Sequence, residues 1–181
     1  MAQIRSMREH EAERVRDLWL QECIEAGTPL TEIASQQVLV HLRQYATHQD
    51  VHCFVAEEHH RLVGFLTCCV TQHPIMPWRS GEIEELYVQP GSLREAIQTE
   101  LVKQAVAFMQ LRGARSIHTR IGIGEESPKE AQQRAFWQSL GWENDTTTYS
   151  IYSSVPGDPA LQRVWDEYRA QAQTSTNLQH S

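Results

Sequence analysis

Gly81-Glu-Ile-Glu-Glu-Leu-Tyr-Val-Gln-Pro90, then Gly91-Ser-Leu-Arg-Glu-Ala-Ile-Gln-Thr-Glu-Leu101, then an apolar run closed by Gly113, is the stretch that decides the fold. Ile83, Leu86, Tyr87 and Val88 favour a pleated surface, so the first part reads as a strand. Pro90 ends it, because proline offers no ladder donor and restricts Gln89. Ile97, Leu101, Ala105, Phe108 and Met109 then recur at spacings of three and four, which is one face of a helix. Leu111 extends the apolar run, and Gly113 suits the position just past a helix end. A strand that feeds a helix N-terminus brings backbone donors and the helix dipole to one place, where they can meet an anion.

The flanking chain fits the same domain. Residues 3–7 read as a first strand, 9–26 as a helix with Val15, Leu18, Trp19 and Cys23 on one face, and 31–46 as a second helix with Ile33, Val38, Leu42 and Tyr45 in register. Residues 51–57 and 62–71 are two strands, and the polar turn Glu58–Arg61 makes them an antiparallel hairpin. The second is almost wholly apolar, as a strand buried on both faces must be. Gln72–Ser80 reads as a loop, in which Trp78 beside Arg79 either packs as a buried aromatic or holds a planar or anionic group. After Gly113, residues 114–121 form a strand. Ser127, Pro128 and Glu130 start a helix that runs to Leu140-Gly141-Trp142, and residues 147–153 form a last strand.

Leu86-Tyr-Val-Gln-Pro90, a short loop and a long helix resemble the central motif of the GNAT N-acyltransferase superfamily. Val55-Ala-Glu-Glu-His-His-Arg-Leu-Val-Gly-Phe65 resembles the hairpin that precedes that motif, and Leu140-Gly-Trp142 the end of the family's second motif. The resemblance implies an α/β (α+β) fold, with a mostly antiparallel mixed central sheet, helices on both faces and one parallel pair, Glu82–Val88 with Ser116–Ile121. It implies acetyl-coenzyme A as cofactor, its pantetheine arm along Leu86, Tyr87 and Val88. The pyrophosphate loop maps to Leu93, Arg94, Glu95, Ala96, Ile97 and Gln98, with Thr99 beyond it. Here the sequence departs from the family: Leu93 replaces the leading Arg/Gln, and Ala96 and Gln98 replace two glycines. Ser92 and Glu95 also form Ser-x-x-Glu, which as a capping box would put a carboxylate near the phosphates.

Transfer to an amine requires a base for the ammonium proton and an acid for the leaving thiolate. The family's strand glutamate falls on Glu84, or second on Glu82. Alternation puts these two on one sheet face and Glu85 on the other. The family's tyrosine acid falls on Trp137, whose indole N–H does not release its proton; Tyr149, Tyr152 or water is left for that task. Loop glycines that are missing and a tryptophan at the acid position also fit a catalytically inactive GNAT-fold binding or regulatory protein.

Composition bounds the rest. The 181 residues suffice for one domain, 1–155, and an appended helix and tail over 156–181, where Leu161, Val164, Trp165 and Tyr168 form an apolar stripe that fits a possible homodimer. A net charge of −7 argues against a nucleic-acid surface. The acceptor is expected to be a small-molecule or peptide amine. Cys23, Cys53, Cys68 and Cys69 form no Cys-x-x-Cys pair and read as reduced thiols of a cytoplasmic protein. No run reaches membrane-spanning length, the nine histidines show no metal-ligand spacing, and no Gly-x-Ser-x-Gly elbow is present.

Overall fold

The computed structural model describes residues 2–27, 31–72, 77–91, 93–120, 128–145 and 148–152. In chain order these form β1 (Gln3–Ser6), a 3-10 turn (Glu9–Glu11), α1 (Ala12–Glu25), α2 (Glu32–Tyr45), β2 (Val51–Glu58), β3 (Arg61–Gln72), β4 (Arg79–Val88), α3 (Arg94–Leu111), β5 (Ala114–Arg120), α4 (Pro128–Ser139), β6 (Glu143–Asp145) and β7 (Thr148–Tyr152). The strands make one sheet in the order β1-β2-β3-β4-β5-β7-β6. Every pairing is antiparallel except β4 with β5, which run parallel. A parallel pair needs a long crossover, and α3 supplies it.

The apolar strands serve two cores because their side chains alternate. Phe54, Ala56, Leu66, Cys68, Val70 and Ile83 face α3, where Leu101, Ala105 and Met109 bury against them. Val55, Phe65 and Tyr87 face α1 and α2, where they meet Val15, Leu18, Leu39 and Leu42. The helix stripe read from Ile97 to Met109 is therefore a true core face, but Leu111 is 87% exposed and does not extend it.

Local differences from the sequence reading have local causes. Glu58 and Arg61 belong to strands, so the hairpin turn is only His59-His60, both at positive φ (48° and 62°). That is the backbone of a two-residue hairpin, whose twist matches the flanking strands. The first helix opens as a 3-10 turn. The expected loop over 72–80 is shorter, because Gln72 pairs with Arg79 at the base of the β3–β4 hairpin. Strand β6 lies within a polar stretch that carries no alternation. Gly113 sits at φ +84°, the left-handed position that ends α3. The helix cap at Ser127, the Gly122-x-Gly124 turn and the C-terminal stripe lie outside the described residues.

The feature that makes a site is where β4 and β5 part. Their pairing runs from Arg79↔Ala114 to Ile83↔Thr119 and stops. Beyond it, β4 continues on β3 alone, as Leu66↔Leu86, Phe65↔Tyr87 and Gly64↔Val88. β5 continues on β7 through Arg120↔Thr148. Among the described residues, one edge of β4 is thus left without a strand partner in the middle of the sheet.

Candidate active site

The parting of β4 and β5 opens a cleft of about 500 Å³. Glu84, Glu85 and Leu86 of β4 form one wall; Thr119 and Arg120 of β5, with Phe136 and Trp137 of α4, form the other. Gly91, Arg94, Glu95 and Gln98 close the end at the start of α3, and Glu22 of α1 reaches the rim.

A β-bulge sets the chemistry of the β4 wall. Thr67 pairs with Glu85 and Cys68 with Ile83, so Glu84 has no partner in the ladder. Such an extra residue re-aims side chains on its strand. Ile83 buries in the α3 core, and Leu86, three residues on, packs against that same core. Simple alternation would have separated them. Cross-strand partners share a face, and Phe65, Thr67 and Cys69 alternate onto the side of α1 and α2. Glu85, opposite Thr67, and Glu82, opposite Cys69, therefore both lie on that side. Glu84 joins them, since its carboxylate accepts a hydrogen bond from Tyr45 of α2. The expectation that Glu85 points to the opposite face is wrong, because the bulge inserts one residue into the count.

The two candidate bases differ in surroundings. Glu84 is exposed and lines the cleft. Glu82 does not line it; its carboxylate lies 3.5 Å from His118 Nε2 and 3.2 Å from Arg120 Nε. The hydrogen bond from His118 holds the Glu82 carboxyl below its usual range, with the charge of Arg120 adding to the effect. A carboxylate stabilised in this way is a weaker proton acceptor. Cys69 sits near both, and burial, with the charges of Glu84 and Glu82, pushes its thiol up to about 12. It stays a thiol at neutral pH and supplies no nucleophile. None of the four cysteines forms a disulfide.

The far end of β4 is fixed to α1. Tyr87 Oη donates to Glu25 Oε1 at 2.9 Å, and Gln89 Nε2 donates to Gln21 Oε1 at 2.9 Å. Burial, and then the Glu25 carboxylate, raise the Tyr87 phenol above its usual range. Of the residues read as cofactor contacts, Leu86, Arg94, Glu95 and Gln98 line the cleft. The side chains of Tyr87, Val88 and Ile97 are in the core, so these residues could meet a ligand only through backbone. Leu93 and Ala96 are exposed, and Thr99 is half-buried.

The Ser92–Glu95 capping box lies outside the described residues. Leu93 is the N-cap and makes no side-chain cap hydrogen bond. The Arg94 N–H donates to the Gly91 carbonyl at 3.2 Å; the remaining backbone N–H groups of a helix's first turn can meet an anion. Arg94 adds positive charge there and Arg120 on the facing wall, while Glu95 opposes them.

Trp137, at the expected acid position, is 4% exposed and packs on Phe136 and Trp142, with ring centroids at 5.2 and 4.6 Å. Tyr149 is carried by β7 opposite Thr119, a cleft residue. Trp78 is buried, as the packing alternative required. Arg79 is engaged by Asp50 at 2.8 Å and donates to the carbonyls of Val70 and Arg112.

Sequence reasoning missed Tyr45, Glu22, Thr119 and Arg120. One signal was present for Tyr45: a tyrosine on the apolar face of a helix needs a partner for its hydroxyl. The others sit on α1 and β5, remote in sequence from β4, and leave no local pattern.

Comparison with known proteins agrees with this geometry. A protein similar over 91 residues, at 30% identity, is an uncharacterized N-acetyltransferase of Methanocaldococcus jannaschii; the match covers 50% of this chain and 38% of that protein's length. The fold is similar to PaiA N-acetyltransferase of Thermoplasma acidophilum solved in complex with coenzyme A (TM-score 0.61, 15% identity, 84% of this chain and 99% of that one). It is similar too to a GNAT-family acetyltransferase of Streptococcus pneumoniae (TM-score 0.63, 12% identity, 85% and 100%). At such identities these structures speak to fold alone. The profile of the Acetyltransferase (GNAT) family matches residues 9–142, well over half of the chain, and this protein therefore belongs to the GNAT acetyltransferase family.

Proposed function

We propose that this protein is an N-acetyltransferase that moves the acetyl group of acetyl-coenzyme A to a primary amine of a small molecule or peptide. The observation that carries this reading is the edge of β4 that has no strand partner among the described residues, beside the start of α3 with Arg94, with Glu84 on the same cleft wall. The residues present fit the cofactor. The unpaired edge at Leu86–Val88 offers backbone groups to the amide-bearing arm, and the first turn of α3 with Arg94 suits the pyrophosphate. When bound, acetyl-coenzyme A supplies the thioester carbon that the amine attacks and the thiolate that leaves.

Glu84 is the base: it accepts the ammonium proton, directly or through water, so that the nitrogen lone pair is free to attack. Glu82, bound by His118 and Arg120, holds those side chains and is the second choice for the base. Backbone N–H at Val88 orients the carbonyl. Tyr149 is the proton donor to the leaving sulfur, from its position opposite Thr119. The protein works in the cytoplasm in this reading. Among the described residues no helix is long and apolar enough to cross a membrane.

The test is titration calorimetry with acetyl-coenzyme A, followed by thiol release with a panel of primary amines. Binding together with amine-dependent thiol release supports the reading; no binding at millimolar cofactor refutes it. The buried Trp137 favours a second reading, a binding module without catalysis. Its signature is cofactor binding with no thiol release for any amine.

A further inference from the structure

Glu84 presents a physical problem: it lies on a bulge and is exposed. An exposed glutamate samples many rotamers, and a proton acceptor that wanders loses its advantage, since about 1 Å of misplacement can cost about 100-fold in rate. The solution lies behind it. Tyr45, the last residue of α2, is 5% exposed and belongs to the core made with Leu42, Val55 and Phe65. Its ring cannot follow the carboxylate, because a packed core holds side chains in single rotamers. Its hydroxyl donates to Glu84 Oε2. Tyr45 does not line the cleft. Burial and the neighbouring carboxylate keep the phenol protonated at working pH, so it acts as a donor only.

We infer that Tyr45 is a positioning residue: it holds Glu84 Oε2 from the core side and so leaves the other carboxylate oxygen for the amine. The inference rests on the reading of Glu84 as the base. It gives α2 a role at the cleft, through the carboxylate that its last residue holds. The Tyr45 phenol joins α2 to the reacting end of β4, while α1 is joined to its far end through Tyr87–Glu25 and Gln89–Gln21. A shift of α2 would be felt first at Glu84.

The experiment compares Tyr45→Phe with Leu39→Ala. Leu39 is buried on the same helix and in the same core, so its truncation loosens the packing but keeps the hydroxyl. With acetyl-coenzyme A and the best amine of the panel, Tyr45→Phe should lower kcat by about 10- to 100-fold and leave KM for the cofactor within about twofold. Leu39→Ala should lower Tm more and kcat less. Loss of Tm with kcat intact in Tyr45→Phe, or equal loss of kcat in both variants, overturns the inference. A second readout needs no turnover: in protein labelled with ¹³C at glutamate carboxyls, the Glu84 signal should be sharp and should broaden or shift in Tyr45→Phe but not in Leu39→Ala. If the parent protein acetylates no amine, the functional reading fails; an unchanged Glu84 signal shows instead that Tyr45 does not hold the carboxylate.

Discussion

Acid should weaken this protein through one buried carboxylate at the entrance of α1. Glu11 is 3% exposed and takes two hydrogen bonds from Arg5, at 2.6 and 2.7 Å, and one from the backbone N–H of Arg8 at 2.9 Å. Arg5 also binds Glu57 of β2, so the cluster ties β1, β2 and the start of α1, the helix that carries Glu22 to the cleft. The Arg5 guanidinium holds the Glu11 carboxyl at about 2 against an ordinary value of 4.5. At about 1.4 kcal/mol per pH unit, that difference is worth about 3 kcal/mol of stability. The folded value is the depressed one. The contribution is therefore fully present above about pH 4.5 and is lost as pH falls toward about 2. Glu11→Gln keeps the shape and removes the charge. It should cost about 3 kcal/mol at pH 7, at the low end for a broken buried pair because Arg5 keeps Glu57. Urea unfolding of both proteins at intervals from pH 7 to pH 2 isolates Glu11, since every other carboxylate titrates in both. The difference should hold to about pH 5 and then close. A difference that stays constant down to pH 3, or one under about 1 kcal/mol at pH 7, would refute the argument.

Three further outcomes test the site. Glu95→Gln should tighten acetyl-coenzyme A by no more than about 1 kcal/mol, the size of a charge at an exposed helix start, and Ala96→Asp should weaken it; calorimetry that sees neither effect places the cofactor elsewhere. Glu84→Gln should lower kcat by about 100- to 10,000-fold with cofactor affinity unchanged, the range for loss of a general base, and an unaffected rate would remove Glu84 from the mechanism. At Gly64 an added Cβ would lie 2.7 Å from Val88 Cγ2 and 2.8 Å from the Tyr87 carbonyl oxygen. Backbone cannot swing aside as a side chain can, so Gly64→Ala should cost about 1–3 kcal/mol by denaturation and also weaken cofactor binding by pushing Leu86–Val88 out of place; full stability in this variant would contradict the close β3–β4 approach.

Much of the fold was legible along the chain because it is written in local terms. The helix stripe from Ile97 to Met109, the apolar β3, the stop at Pro90 and the turn residue Gly113 each act within a few neighbours. The parallel β4–β5 pair followed from a strand, a helix and a strand in sequence, once the motif around Leu86–Pro90 was recognised. What the sequence did not show is what depends on partners far away in the chain. The bulge at Glu84 arises from how Thr67 and Cys68 pair across to Glu85 and Ile83, so counting by twos along β4 sent Glu85 to the wrong face. The parting of β4 and β5 after Ile83 and Thr119 is a property of two ladders, not of either strand. Tyr45 lies 39 residues before the carboxylate it binds. Arg79 stands beside Trp78 in sequence but is held by Asp50, 29 residues earlier. Local patterns determined which elements form; only the tertiary pairing decided which face each carboxylate occupies, because one unpaired residue in a ladder reverses every side chain that follows it.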